Sequence, residues 1–189
     1  HYERFDLNAR NDNGLTAFMI ACRKGHKEIV QLLLDNSERI ELNARSRWSR
    51  SIALMSMWAC ENGHKDVVQL VVDHSERIDL NTRNRNGDTA FILACQYGHK
   101  DVVQLLLNHS NPRIAVNTIN GGGCTAFIMA CKNGHKDIVK LLLERCNSEE
   151  SGLNTKDEDG LTPFIWACRN GHKDVVQLLL DHSDTNIDL

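Results

Sequence analysis

The chain repeats one motif five times. Each copy has Ala-Cys, two variable residues, and Gly-His-Lys, followed by an acidic residue and an aliphatic run. The glycines of the five copies lie 35 to 38 residues apart, at Gly25, Gly63, Gly98, Gly134 and Gly171. A period of this length is typical of a solenoid of stacked repeats, whose stability comes from contacts within and between neighbouring units. The 189 residues therefore predict one elongated domain.

Each copy contains two helical patterns separated by the glycine. In the first copy, Phe18, Ala21 and Cys22 have the spacing of one helix face. Gly25 can adopt the left-handed conformation that ends this helix, and Glu28 complements the dipole at the start of the next. Polar segments such as residues 81–87 lie between the copies and predict hairpin-like turns, which we call fingers.

These motifs resemble the ankyrin repeat over the whole chain. The fifth copy carries the resemblance most completely, with Gly-Leu-Thr-Pro-Phe at residues 160–164, Gly171-His172 and the aliphatic run at residues 175–180. The first, third and fourth copies have Thr-Ala-Phe in place of Thr-Pro-Phe. The resemblance implies an all-α solenoid of helix-turn-helix units with protruding fingers, a concave binding face and no enzymatic activity.

The alignment of the copies predicts the repeat boundaries. Because residues 1–8 align with the closing segment of a repeat, we expect the chain to begin within a unit and to belong to a longer array. The predicted units are a tail of a preceding repeat at 1–8 and repeats at 9–43, 44–81 (irregular, with an inserted finger), 82–117, 118–154 and 155–189.

Composition excludes several classes of protein. The formal net charge of −3 argues against a dedicated nucleic-acid-binding protein, and no apolar run approaches the ~20 residues of a membrane span. Five of the seven cysteines occupy one slot on the apolar face of the first helix, which predicts small buried hydrophobic residues and a reducing compartment, the cytoplasm or nucleus. Cys124, at a glycine-rich fingertip, is expected to be exposed. We expect a monomer.

The second finger departs most from the pattern. Residues 44–51 lengthen it and place Trp48 among three arginines, Arg45, Arg47 and Arg50. Insertions in single repeats usually lie in loops on one face, often the binding face. The alternative is a degenerate unit whose tryptophan folds back onto its own helix.

Charge also differs along the fingers. Arg83 and Arg85 on the third finger would extend a basic edge, whereas residues 157–159 of the fifth finger are Asp-Glu-Asp. This polarity could orient an acidic or phosphorylated ligand, since the guanidinium fork suits carboxylate and phosphate groups. Solvated charges without a ligand are the alternative.

The slot before the recurrent alanine contains large residues that ankyrin repeats expose on the concave face. Trp58, Met129 and Trp166 occupy it, and Tyr97 lies in a neighbouring variable position. Aromatic residues near arginine are common anchors of interfaces. The alternative is that the tryptophans only fill space between first helices.

No catalytic, metal or cofactor site is predicted. Each Cys-x3-His pair is divided by a helix-breaking glycine, so the recurrent histidine is better explained by a hydrogen bond to backbone of a neighbouring turn. The ankyrin resemblance also implies asparaginyl hydroxylation as a possibility at Asn8, Asn43 and Asn81, with local bracing of the turn as the alternative. The sequence thus predicts a non-catalytic module that binds a protein or peptide, or alternatively a structural spacer of a larger protein.

Overall fold

The computed structural model describes residues 6–40, 53–74, 80–109, 114–145 and 152–185. These residues form ten α-helices, arranged in five consecutive pairs, and contain no β-strand. The first helices of the pairs are α1 (Ala17–Lys24), α3 (Ala53–Glu61), α5 (Ala90–Tyr97), α7 (Ala126–Lys132) and α9 (Pro163–Arg169). The second helices are α2 (Lys27–Asp35), α4 (Lys65–Asp73), α6 (Lys100–Asn108), α8 (Lys136–Arg145) and α10 (Lys173–Thr185).

Threonine caps the start of four first helices, and a glycine follows the end of each of the five. The Thr16 hydroxyl accepts a hydrogen bond from the Met19 amide and satisfies one of the unpaired donors at the start of α1. Thr89, Thr125 and Thr162 cap α5, α7 and α9 in the same way. The glycine between the two helices of each pair has a φ of 70° to 82°, as the sequence predicts.

The helices form two layers. First helices pack side by side in chain order, second helices do the same, and each first helix also packs on its own second helix. The core between these layers is continuous from Leu15 to Leu179 and contains Phe18, Phe91 and Phe127 at 2 % exposure or less. This arrangement confirms the predicted all-α repeat solenoid.

The recurrent histidine connects each helix pair to the one before it. Its Nε2 atom lies 2.8–3.1 Å from a carbonyl oxygen in the last turn of the preceding first helix. The pairs are His64 with Arg23, His99 with Glu61, His135 with Gln96 and His172 with Lys132. The predicted bond from histidine to backbone is therefore confirmed, and it couples neighbouring repeats.

Four recurrent cysteines are buried, as predicted, but two expectations about cysteine were wrong. Cys22, Cys60, Cys95 and Cys131 are completely buried, and burial raises the pKa of Cys22 to about 12. Cys168 is exposed, because no described helix pair covers its side of α9. Cys124 is only 6 % exposed, because the finger turns its side chain toward Ile128 and Trp166.

Candidate functional site on the fingers and first helices

The described fingers share one internally braced turn. In each, the Oδ1 atom of an Asn or Asp accepts hydrogen bonds of 2.8–3.1 Å from the amides two and four residues later. The bracing residues are Asn11, Asn84, Asn120 and Asp157. This side-chain mimic of a backbone turn holds each finger in a fixed shape beside its first helix.

The third, fourth and fifth fingers are also bonded to one another. The Gly121 amide donates to the Asn86 carbonyl at 2.6 Å, and the Glu158 amide donates to the Gly122 carbonyl at 3.2 Å. Arg83 donates from Nε to the Gly87 carbonyl at 3.0 Å and from its terminal guanidinium nitrogen to the Ile119 carbonyl. Arg83 is therefore an exposed residue that also joins two fingers.

We call the surface formed by the fingers and the facing ends of the first helices the groove. Its helix portion comprises residues 20–24, 58–62, 93–97, 129–133 and 166–170. These stretches contain four cations, Arg23, Lys24, Lys132 and Arg169, and one carboxylate, Glu61. The helix portion of the groove therefore has a charge opposite in sign to the −3 of the whole chain.

Trp58 lies at a cleft in the groove. The cleft has a volume of about 620 Å³ and lies between the first and third fingers and the ends of α1 and α3. Arg23 places its guanidinium carbon 5.6 Å from the centroid of the Trp58 ring, a distance typical of a cation–π contact. The indole is half-buried against the core. The described lining residues are Asn13, Leu15, Arg23, Trp58, Glu61, Asn62, Asn84, Arg85 and Asn86.

Tyr97 and Met129 follow Trp58 along the groove. Tyr97 is 48 % exposed, which is high for an aromatic side chain, and Met129 is half-buried at the edge of the core. Burial, followed by the carboxylates of Glu61 and Asp88, raises the pKa of Tyr97. The phenol is therefore a hydrogen-bond donor at neutral pH, next to an apolar surface.

Trp166 is placed differently from Trp58, and the expectation that it is exposed was wrong. It is 8 % exposed, and its indole Nε1 donates to Asp157 Oδ2 at 2.7 Å. Lys132 places Nζ 3.8 Å from the ring centroid, and the Arg169 guanidinium carbon lies 5.0 Å from it. The two cations cover the ring, so Trp166 mainly holds the fifth finger against α9.

The predicted charges of the fingers are only partly at the surface. Asp157 points inward and is 8 % exposed, which leaves Glu158 and Asp159 as the exposed carboxylates of the fifth finger. Arg85 is exposed and lines the cleft. The second finger's candidates, Arg45, Arg47, Trp48 and Arg50, lie outside the described residues.

Two candidate hydroxylation sites, Asn8 and Asn81, join successive loops. Asn8 donates from Nδ2 to the Arg39 carbonyl at 3.0 Å, and Asn81 accepts from the Ala115 amide at 2.8 Å. These bonds span 31 and 34 residues, so the bracing reaches further than the local turn expected from the sequence. Asn43 lies outside the described residues, and hydroxylation itself stays a prediction.

The comparison with protein families agrees with this geometry. The family model for ankyrin repeats matches residues 1–84, 50–118 and 111–189, which together span the chain. The chain belongs to the ankyrin repeat family. No curated protein matches it. Ankyrin repeats are generally protein–protein interaction modules and generally lack catalytic activity. Among the described helices of this ankyrin array, none is long and apolar enough to cross a membrane.

Asp157 braces the fifth finger of the ankyrin groove, a role that the acidic composition of residues 157–159 does not indicate. Sequence composition predicts that Asp157 is a surface charge of an acidic finger. Its position in the finger is nevertheless the one that asparagine occupies in the other described fingers, as Asn11, Asn84 and Asn120. Comparing this slot between copies would have indicated a bracing role. Burial favours a raised pKa for Asp157, but hydrogen bonds from the Leu161 amide, Trp166 and the Asp159 amide, together with the Lys132 charge, bring it below its ordinary value.

We expect Asp157→Asn to destabilise the array by about 1–3 kcal/mol at neutral pH. Asparagine keeps the Oδ1 acceptor for the two amides but loses the acceptor for the buried Trp166 Nε1 and the charge beside Lys132. A carboxyl with a lowered folded-state pKa stabilises the fold above its unfolded-state pKa of about 3.8, and this contribution disappears as pH falls through the folded-state value. Urea unfolding at neutral and acidic pH measures the difference.

The difference in free energy of unfolding between the parent and Asp157→Asn should therefore become smaller at acidic pH. Asp159→Asn is the matched control, because that carboxylate lies in the same finger but is exposed. A difference in free energy of unfolding that stays constant with pH would contradict a buried ionic role for Asp157. An equal loss of stability in Asp159→Asn would contradict it as well.

Proposed function

We propose that this ankyrin array is a non-catalytic module that binds a protein or peptide partner along the groove. The observation that carries the proposal is the cleft of about 620 Å³ lined by Trp58, Arg23 and Arg85, together with the exposed Tyr97 on the next first helix. A half-buried tryptophan ring in contact with arginine, with an exposed tyrosine on the next first helix, has the composition of interface hot spots. The braced fingers support the proposal, since a fixed surface pays less conformational entropy on binding.

The charge of the groove favours an acidic partner. Its helix portion contains four cations and one carboxylate, while the chain as a whole is negative; these residues are Arg23, Lys24, Lys132, Arg169 and Glu61. Complementary charge steers association and selects partners more than it adds to affinity. We therefore infer an acidic or phosphorylated peptide segment rather than nucleic acid, bound inside the cell in the cytoplasm or nucleus.

The apolar contacts of the proposed site are Trp58, Tyr97 and Met129. Trp166 contributes through the cations that cover it, Lys132 and Arg169, because its own ring is buried. Arg83 and Arg85 contribute charge from the third finger. We also include Trp48 and the arginines of the second finger in the proposed binding surface, on the basis of the sequence alone.

A structural spacer is the second candidate function. The repeated histidine contacts favour it, since each described repeat after the first is connected to the preceding one by nearly the same bond. A spacer needs this uniformity but does not need an exposed Tyr97 or a cleft at Trp58. The two functions therefore differ in whether substitutions in the groove change any interaction.

We expect Tyr97→Ala to weaken partner binding by about 2 kcal/mol, roughly thirtyfold in Kd, if Tyr97 is an anchor. Partners are first captured from a eukaryotic lysate with the parent chain, and the affinity of one of them is then measured by calorimetry. A Trp58→Ala variant follows, with circular dichroism to show that the half-buried site still folds.

The matched control truncates exposed apolar side chains that lie outside the groove. Ile29 and Leu32 on α2 are 49 % and 62 % exposed, so Ile29→Ala with Leu32→Ala tests for nonspecific adhesion. The proposal predicts that this control keeps the partner. If the groove variants keep it as well, or if no partner is captured, the spacer is the better explanation.

A further inference from the structure

Six asparagines of this chain are followed directly by glycine. In an Asn-Gly pair the backbone nitrogen of the glycine can attack the side-chain amide of the asparagine, because glycine has no Cβ atom to obstruct the approach. The six residues are Asn13, Asn62, Asn86, Asn120, Asn133 and Asn170. They share one dipeptide sequence, so the structure around each side chain distinguishes them.

Three of these asparagines lie at the ends of first helices and use their side-chain amides in hydrogen bonds. Each donates from Nδ2 to a backbone carbonyl at 2.6–2.8 Å. The pairs are Asn62 with Trp58, Asn133 with Met129 and Asn170 with Lys132. Each side chain must break this bond before its amide carbon can approach the next backbone nitrogen.

Asn120 is held at both atoms of its amide. Oδ1 accepts from the Gly122 and Cys124 amides at 3.0 and 2.9 Å, and Nδ2 donates to Asp88 Oδ1 at 2.9 Å. Asp88 is 5 % exposed and belongs to the preceding repeat, so the bond to it also joins two repeats. A reaction at Asn120 would require all of these bonds to break.

Asn13 and Asn86 occupy a different position, at the fingertip two residues after a bracing asparagine. Their backbone amides donate to Oδ1 of Asn11 and Asn84, and their side chains are exposed. Within the part of the chain that the structure describes, neither side-chain amide forms a hydrogen bond. These two side chains can therefore rotate without breaking one.

The backbone nitrogen that would attack does not distinguish the six sites. The Gly14 amide donates to the Asn11 carbonyl at 2.7 Å, and the Gly87 amide donates to the Asn84 carbonyl at 3.0 Å. At the other four sites the glycine amide also donates to a carbonyl, at 2.6–3.3 Å. These bonds slow the attack at every site relative to an unfolded chain, so the side-chain amide decides which site reacts first.

We propose that Asn13 and Asn86 are sites of spontaneous deamidation. The glycine nitrogen attacks the side-chain amide carbon and loses its proton, and the new carbon–nitrogen bond closes a succinimide ring. The bond from this carbon to Nδ2 breaks and releases ammonia. Water then adds to one of the ring carbonyls and opens the ring to aspartate or isoaspartate. The net change at each site replaces a neutral amide by a carboxylate.

Both sites line the cleft that also contains Trp58, Arg23 and Arg85. Added carboxylates would oppose the basic charge of the arginines. The effect on binding rests on the proposed function, because it requires an acidic partner in the groove. Binding of such a partner would weaken as the chain ages, by up to about fivefold for each modified site.

Peptide mapping by mass spectrometry, after incubation at mildly alkaline pH and physiological temperature, measures the loss of each side-chain amide. We expect Asn13 and Asn86 to react about two- to tenfold faster than the three helix-end asparagines, since each of those must first break one hydrogen bond. Asn120 should react most slowly. Rates at Asn13 and Asn86 that are no higher than at Asn62 would overturn the proposal.

The same mapping in concentrated urea separates the fold from the local sequence. All six asparagines precede glycine, so their rates should become similar once the hydrogen bonds of the fold are lost. If the two fingertip residues keep the same advantage in urea, the fold is not its cause and the assignment from the structure is wrong.

Two double variants test the effect on binding. Asn13→Asp with Asn86→Asp imitates the modified chain, whereas Asn13→Gln with Asn86→Gln keeps neutral amides that close the larger ring far more slowly. Calorimetry with a partner captured by the parent chain should give a weaker affinity for the aspartate variant. Equal affinities would refute the effect on binding, while the mapped rates decide the deamidation independently. Tyr97→Ala changes no charge at these sites and reports on the proposed groove itself.

Discussion

Phe91→Ala is expected to destabilise the array by about 3–5 kcal/mol. Phe91 is 1 % exposed on α5 in the central pair, and its ring belongs to the continuous core between the helix layers. Truncation removes the apolar contacts and leaves a cavity that neighbouring helices on both sides line. Urea unfolding followed by circular dichroism measures the loss of free energy of unfolding.

Phe164→Ala is the matched control for this prediction. Phe164 occupies the same slot of the fifth pair but is 40 % exposed, because no described pair packs on its outer side. Its truncation should cost clearly less, on the order of 1 kcal/mol. Equal losses of free energy of unfolding at the two positions would mean that the stacking of neighbouring helix pairs does not determine the stability of a repeat.

Gly98→Ala should cost about 2–4 kcal/mol, the sum of backbone strain and a steric clash. Gly98 ends α5 with a φ of +82°, which side chains with a Cβ disfavour. The added methyl group would lie 2.6 Å from Cε1 of His135 and would displace this ring from its bond to the Gln96 carbonyl. The variant therefore tests the coupling between the third and fourth repeats, and thermal or urea unfolding gives its size.

Gly171→Ala separates the strain from the clash. Its φ is +73°, close to that of Gly98, but nothing lies within 4 Å of the added methyl group. We expect only the left-handed strain, about 1–2 kcal/mol. In a His135→Ala background, Gly98→Ala should cost about as much as Gly171→Ala. If Gly98→Ala costs the same with and without His135, the ring is not the obstacle.

The positions shared by all copies were predictable from the sequence because their causes are local or recur between neighbours. The left-handed glycines recur in all five copies, and the histidine bonds recur in the four copies that follow another described copy. The capping threonines recur in four copies, since the second has none. Recurrence in several copies distinguishes such contacts from chance patterns. The all-α solenoid follows from the same regularity.

Burial of individual side chains was less predictable, because it depends on what neighbouring units place beside each slot. Cys131 and Cys168 share a slot, yet one is fully buried and the other is exposed. Trp58 and Trp166 also share a slot, but Trp58 is half-buried whereas Trp166 is buried and bonds to an inward carboxylate, Asp157. Sequence periodicity identifies equivalent positions, whereas exposure requires the three-dimensional arrangement of the fingers and the next helix pair.

Hydrogen–deuterium exchange of the array with and without a captured partner tests the central claim most directly, since it reports which face the partner covers. The account predicts slower exchange in the groove, at residues 58–62 and 93–97 and in the third finger, with the second helices α4 and α6 unchanged. Slower exchange confined to the second helices, with the groove unaffected, would contradict it.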